Sequence, residues 1–281
     1  MAPYKMLTSV VDIRFESFTQ GEEILLLQAC MGRTIVAAPF VRANLGWNAG
    51  DELFEEIPDQ RRRWAGKHFV HFDLDLKNIF IYGTDARARD NEHRIVPGLK
   101  IGELGHSEDV KIRKTNAYYF NMRGKGRFGY YTPEQFCQDW HYISKPDGSI
   151  VDPDGPEVSE QPVAGNYGSA TNVWGIGLIM WQLMTRMQPP VPPQPQPEIQ
   201  LGPGMVIPTH YCPLLLTMRE YDVYDLELRL VVAYCLTANP QLRPALSNLL
   251  NAARRGIDSN FIGEDDNTIR EWVRRFIYNP I

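Results

Sequence analysis

The sequence predicts an α+β fold, with short strands in its first hundred residues and helices dominating the rest. Three stretches carry that prediction. HFVHFDLDLKNIFIYG (68–83) reads as an apolar strand, a polar loop and a second strand, and LKIGEL (99–104) repeats the strand pattern after a Pro97-Gly98 turn. Together they close a small β-hairpin with acidic residues in its connecting loops. TNVWGIGLIMWQLMT (171–185) is apolar on nearly every side yet too short for a bilayer, which puts it at the centre of a domain. YDLELRLVVAYCL (224–236) and ALSNLLNAARRGI (245–257) are amphipathic with helical period, as helices packed on such a centre should be.

The remaining elements follow in chain order. GEEILLLQACM (21–31) reads as a short helix with a thick apolar face, TIVAAPFV (34–41) as a strand, and GDELFEEI (50–57) as a short acidic helix. From residue 105 to about 168 the chain is loop-rich, and PDGSIVDPDGPEVSEQPVAGNYG has the Gly, Pro and Asp content of an exposed excursion. QPPVPPQPQPEIQLGPG (188–204) is expected to run as polyproline II or irregular loop, because proline fixes φ and removes a donor. Its Pro189/Pro192 and Pro190/Pro193 spacings offer a dock for an SH3-type partner. Behind a Thr268-x-x-Glu271 capping box, Ile269, Trp272, Val273, Phe276 and Ile277 recur at helical spacing, so the tail is a helix that packs on the body.

Composition narrows the class. A chain of 281 residues, 43% of them apolar, fills one large domain or two small ones. A net charge of −5, with no basic run beyond Arg61-Arg62-Arg63, argues against a nucleic-acid partner. Cys30, Cys137, Cys212 and Cys235 form no CxxC pair, which fits a reducing, intracellular setting, cytoplasmic or nuclear. No apolar signal region opens the chain, and VWGIGLIMW is less than half a membrane span, so no membrane partner is expected.

The residues that bear chemistry begin in HFDLDLKNIF (71–80), with an aspartate two places after a histidine and an asparagine five places further on. LKIGELG then sets Glu103 30 residues after Asp73, and GRFGYYTPEQF, the NVWGIG helix and NPQLRP follow in order. The series resembles the eukaryotic protein kinases, in particular fungal kinase-like proteins with an HFD loop, over roughly residues 1 to 257. The resemblance implies a protein kinase-like fold with an incomplete, small β-rich N-lobe and a mainly helical C-lobe. It also implies ATP and Mg²⁺ as cofactors and a protein serine or threonine as acceptor. The corresponding divisions are an N-lobe remnant and hinge at 1–45, a C-lobe at 46–265 containing the Pro-rich insertion, and the terminal helix at 266–281.

Residue roles follow from the same resemblance. Asp73 matches the aspartate that takes the acceptor's proton, and Asn78 the asparagine that holds Mg²⁺. Glu103 stands at the family's metal-binding aspartate. His71 and Leu104 are expected to pack in an apolar spine, and Glu134 to pair with Arg243 as a buried ion pair. Asn172 takes the position of the aspartate that braces the loop backbone. Lys5 resembles the phosphate-holding lysine, and Glu23, 18 residues on, the glutamate that orients it. Lys77 is a further cation near the phosphates.

Several positions depart from the family. No GxGxxG occurs, nothing but MAPY precedes Lys5, and about 20 residues stand where a longer segment with a helix is usual before HFD. The central helix is therefore expected to leave one face partly uncovered. Real loss and missing coding segments would both produce these gaps. Asp75 replaces a lysine that neutralises the transferring phosphoryl, and a unit charge 4 Å away is worth about 4 kcal/mol at an effective dielectric of 20. Glu103 has one methylene more than aspartate, which Mg²⁺ geometry tolerates poorly. Phe72 replaces the arginine that reads a phosphorylated segment. A weakened kinase and a pseudokinase that only binds partners both fit. A metal-dependent hydrolase built on Asp73, Asp75 and Glu103 lacks a histidine set to go with them.

Overall fold

The computed structural model describes residues 5–6, 68–81, 97, 99–143, 147, 152–190, 199–202, 205–207, 209–257 and 265–278. The expected elements at 21–57, Glu23, Arg61-Arg62-Arg63, Pro192 and Pro193 lie outside these residues.

Strand β1 (Lys5–Met6), β2 (His68–Val70), β3 (Ile79–Ile81), β4 (Leu99–Ile101) and β5 (Glu108–Val110) form two small sheets. In the first, antiparallel β3 lies between β1 and β4, with Ile81 opposite both Lys5 and Leu99. Ile79 and Ile81 are buried with the half-buried Phe80 between them, the alternation of a strand with one face on the core. In the second sheet β2 pairs antiparallel with β5, His68 opposite Val110. Strand β5 falls inside the stretch expected to be loop. So do four short helices, α1 (Asn116–Phe120), α2 (Pro133–Phe136), α3 (Trp140–Ile143) and α4 (Glu157–Glu160). They are too short to show a period, and side chains organise them: Asn116 Nδ2 donates to the Asp152 carbonyl at 2.8 Å, and its Oδ1 accepts from Val158 N at 2.9 Å.

Helix α5 (Ser169–Thr185) is the axis of the molecule. Every residue from Thr171 to Thr185 is buried, so the partly uncovered face expected from the sequence does not exist. Leu74, Leu76, Ile79 and Ile81 belong to the core around it, as do Val232, Ala233 and Cys235 of α7 (Leu226–Cys235). Gly175 permits this closeness, since a Cβ there would stand 2.7 Å from the Leu74 Cβ. A second, smaller core gathers Val70, Phe72, Val110, Tyr119, Trp140 and Tyr167.

Between α5 and α7 lie an antiparallel hairpin, β6 (Ile199–Gly202) with β7 (Met205–Ile207), and α6 (Pro213–Thr217). The hairpin corrects the expectation of irregular chain throughout 188–204. Ile199-Gln200-Leu201-Gly202 contains no proline, so its amides are free to enter a ladder. Helix α8 (Leu246–Ile257) follows, and α9 (Asp266–Trp272) starts earlier than the expected capping box. Its cap is Asp265, whose Oδ1 accepts from Asn267 N at 3.0 Å and Thr268 N at 2.8 Å. Ile269 and Val273 bury into the main core. Among the described residues no helix is long and apolar enough to cross a membrane.

Candidate functional site

The loop between β2 and β3 is held from two sides, by Asn172 of α5 and by Gly102 after β4. His71 is buried, its N–H donates to Asn172 Oδ1 at 2.9 Å, and its Nε2 meets the Gly102 carbonyl at 2.9 Å. A carbonyl only accepts, so Nε2 carries the proton, and Nδ1 is left to accept from Asp73 N at 3.3 Å. Burial pushes the imidazole below its ordinary pKa, against the opposing pull of the Gly102 carbonyl, Asp73 and Asp75. His71 is thus a neutral structural group. From α5, Asn172 completes the clamp by donating Nδ2 to the Phe69 carbonyl at 2.8 Å.

Phe72 has a left-handed backbone, φ 61°, uncommon for a bulky side chain. Its ring is buried edge-on against Tyr167, with centroids 5.3 Å apart. The backbone reversal separates the Phe72 ring, in the smaller core, from Leu74, in the larger one. Asp73 lies between them.

Asn78 Nδ2 donates to the Asp73 carbonyl at 2.7 Å and to Asp73 Oδ2 at 2.8 Å. Asp73 Oδ1 is buried and has no hydrogen-bond partner. The five-residue spacing thus becomes one unit through the 3₁₀ turn Leu76–Asn78. Asp75 caps that turn, its Oδ1 accepting from Lys77 N at 2.5 Å, and Arg127 Nη1 bonds its Oδ2 at 2.5 Å. This corrects the repulsion expected at Asp75: the carboxylate is 1% exposed and neutralised by a guanidinium. Lys77 itself is exposed.

Gly102 N donates to the Asn78 carbonyl at 2.8 Å, which sets Glu103 beside the loop. Glu103 is exposed, with φ 57° and ψ 56°, and leads into a 3₁₀ turn at Leu104–His106. Leu104 is 43% exposed, so its expected place in an apolar spine is not taken; the left-handed turn at Glu103 redirects the chain just before it. Asn78 Oδ1 and the Glu103 carboxylate give two oxygens on adjoining loops. That suits Mg²⁺ shared with phosphates and water, which takes one or two protein oxygens, and not a protein-only cage. Among the described residues no three His, Cys, Asp or Glu side chains gather where they could hold a metal, so the three-acid hydrolase site is not assembled.

Glu134 and Arg243 form a bidentate pair, Oε1–Nη1 and Oε2–Nη2 both at 2.8 Å, with both side chains fully buried. Thr171 Oγ1 donates to Glu134 Oε1 at 2.9 Å, while Arg243 also reaches the Thr237, Ala170 and Ala238 carbonyls and lies over the Trp174 ring. Lys5 stands opposite Ile81 at the edge of the first sheet. A cavity of about 750 Å³ between residues 110–115 and 154–170 is lined by none of the loop residues 71–78.

Sequence reasoning missed Arg127. The available signal was Asp75 itself, because a carboxylate flanked by Leu74 and Leu76 is drawn inward with them and then needs a cation from elsewhere in the chain.

No family model matches the chain. It is 20% identical over 214 residues to a putative insulin-like peptide receptor of Hydra vulgaris. That match takes in 75% of this chain and 11% of the receptor, so the chain spans a small part of that relative's length. Among solved structures, the CAK complex from Chaetomium thermophilum bound to ATP-γ-S aligns with 93% of this chain and 66% of that one, at 14% identity and a TM-score of 0.49.

Proposed function

We propose that the chain is a kinase-like protein that transfers the terminal phosphoryl of ATP to a serine or threonine hydroxyl, at a reduced rate, with Asp73 as the general base. The carrying observation is the half-satisfied Asp73 carboxylate: Asn78 fixes Oδ2, and the buried Oδ1 has no hydrogen-bond partner. A general base needs one oxygen oriented and another not engaged by a competing donor, and the two oxygens of Asp73 divide in that way. The ordered run from HFDLDLKN through LKIGELG and TPEQF to NPQLRP supports the reaction class. When bound, Mg²⁺ would neutralise phosphate charge, held by Asn78 and Glu103. Asn78 orients Asp73 whether or not the metal is there, and His71 fixes the backbone from which Asp73 projects. The reduced rate follows from Glu103, whose longer side chain starts from a left-handed, exposed position.

A pseudokinase that binds partners without transfer is the second reading, favoured by the exposure of Leu104. The test uses the full chain, Mg-ATP and a mixed serine/threonine peptide pool. Slow phosphate incorporation is expected, and Asp73→Asn should abolish it while leaving the melting temperature of the free protein within a few degrees. Incorporation that persists in Asp73→Asn would sink the assignment of Asp73. No incorporation, together with a chelator-sensitive rise in melting temperature on adding Mg-ATP, would instead support the second reading.

A further inference from the structure

A carboxylate as buried as Asp75 stays ionised only when paired and hydrogen-bonded. Its two partners differ in kind. On Oδ1 it holds a backbone amide of its own loop; on Oδ2 it holds Arg127, whose side chain is 42% exposed. The ion pair is therefore a fixed dipole, with its negative end sunk in the loop and its positive end towards solvent. Asp75 engages Nη1 of a guanidinium that carries five donors in all.

The segment bearing Arg127 is pressed onto the same loop. Gly126 has φ +90°, and a Cβ there would stand 2.0 Å from the Phe72 carbonyl oxygen and 3.8 Å from Asp73 N. Four residues on from Gly126, the Tyr130 phenol is raised in pKa first by burial, with Asp75, Arg127 and Asp73 among the charges acting on it. The guanidinium is thus bonded to a carboxylate two residues from Asp73, on a segment packed against the Phe72 carbonyl and the Asp73 amide. Lys77 is held differently: Asp75 bonds its backbone amide, and its side chain is exposed. A planar guanidinium matches the oxygens of a phosphate in a way an ammonium cannot.

We propose that Arg127 binds the terminal phosphate of ATP, with buried Asp75 acting as the positioning residue that aims its guanidinium. This rests on the phosphoryl-transfer function proposed above.

The experiment measures by calorimetry the affinity of the full chain for ATP, ADP and adenosine, each with Mg²⁺. The wild type should prefer ATP to ADP. In Arg127→Gln the affinity for ATP should fall about tenfold, the worth of a charge-assisted hydrogen bond, while adenosine binding stays unchanged. Arg127→Gln also strips Asp75 of its partner, so the deciding variant is Asp75→Asn/Arg127→Gln, which removes both charges together. If Arg127 binds phosphate, the preference for ATP stays lost in the double variant, and Arg127→Lys alone keeps part of it. If the double variant regains the wild-type preference, Arg127 serves only to satisfy Asp75 and the proposal is overturned. A wild-type chain that binds ATP no better than adenosine would overturn the phosphoryl-transfer function itself, and the Arg127 assignment with it.

Discussion

Asn172 uses both ends of its amide, accepting from His71 N and donating to the Phe69 carbonyl. A carboxylate at this position could make the first bond and not the second, so the amide at the bracing position spans two points of the chain. The His71 that it holds has a pKa lowered by burial, and this sets a pH dependence. In the unfolded chain the imidazole takes up its proton near pH 6.5. In the folded protein it does so only at lower pH, so between those values the unfolded state binds more protons. The stabilisation is complete above about pH 6.5 and is lost as pH falls through the window below it. Melting temperatures measured from pH 7.5 to 5 should decline more for the wild type than for His71→Gln. Parallel curves would rule out a neutral, buried His71. At this scale Asp73 and Asn78, singled out by the resemblance, meet because their spacing is local, five residues closed by a single 3₁₀ turn. The sequence did not disclose Arg127, since the contact with Asp75 spans 52 residues and no spacing rule reaches that far.

The Glu134–Arg243 pair ties three elements together: α2, the start of α5 through Thr171 and Ala170, and the turn before α8. All of its charge is compensated internally, which makes loss of one partner costly. Arg243→Ala should lower unfolding stability by about 3–5 kcal/mol in urea titrations, because Glu134 is left buried and unpaired. A loss below about 1 kcal/mol would mean that water enters to solvate the carboxylate. Element boundaries were legible where the pattern was long. The apolar run at 171–185 and the two amphipathic helices after it appear within two residues of their expected limits. Between residues 105 and 168 the elements are three to five residues long and rest on side-chain bonds such as those of Asn116, which carry no periodic signature. The terminal helix is capped by Asp265 rather than at Thr268, because the aspartate accepts from the amides of Asn267 and Thr268 themselves.

Across the whole molecule, the apolar run expected at the centre of a domain is a buried helix among the described residues, and Gly175 is where that helix meets the loop. Gly175→Ala should cost about 1–3 kcal/mol by overpacking, and it should lower the affinity for ATP if it displaces Leu74 and with it Asp73. Thermal melts and nucleotide titrations on the same sample separate the two effects. What the sequence could not reveal was the division of the interior into two cores, since their members alternate along the chain. Val70 and Phe72 belong to one and Leu74 and Leu76 to the other, with Asp73 at the seam. A sliding movement between the two halves would therefore act on the backbone of that single aspartate, as shears act at their pivot. Whatever grips one core alone, even far from Asp73, acquires a lever on its geometry.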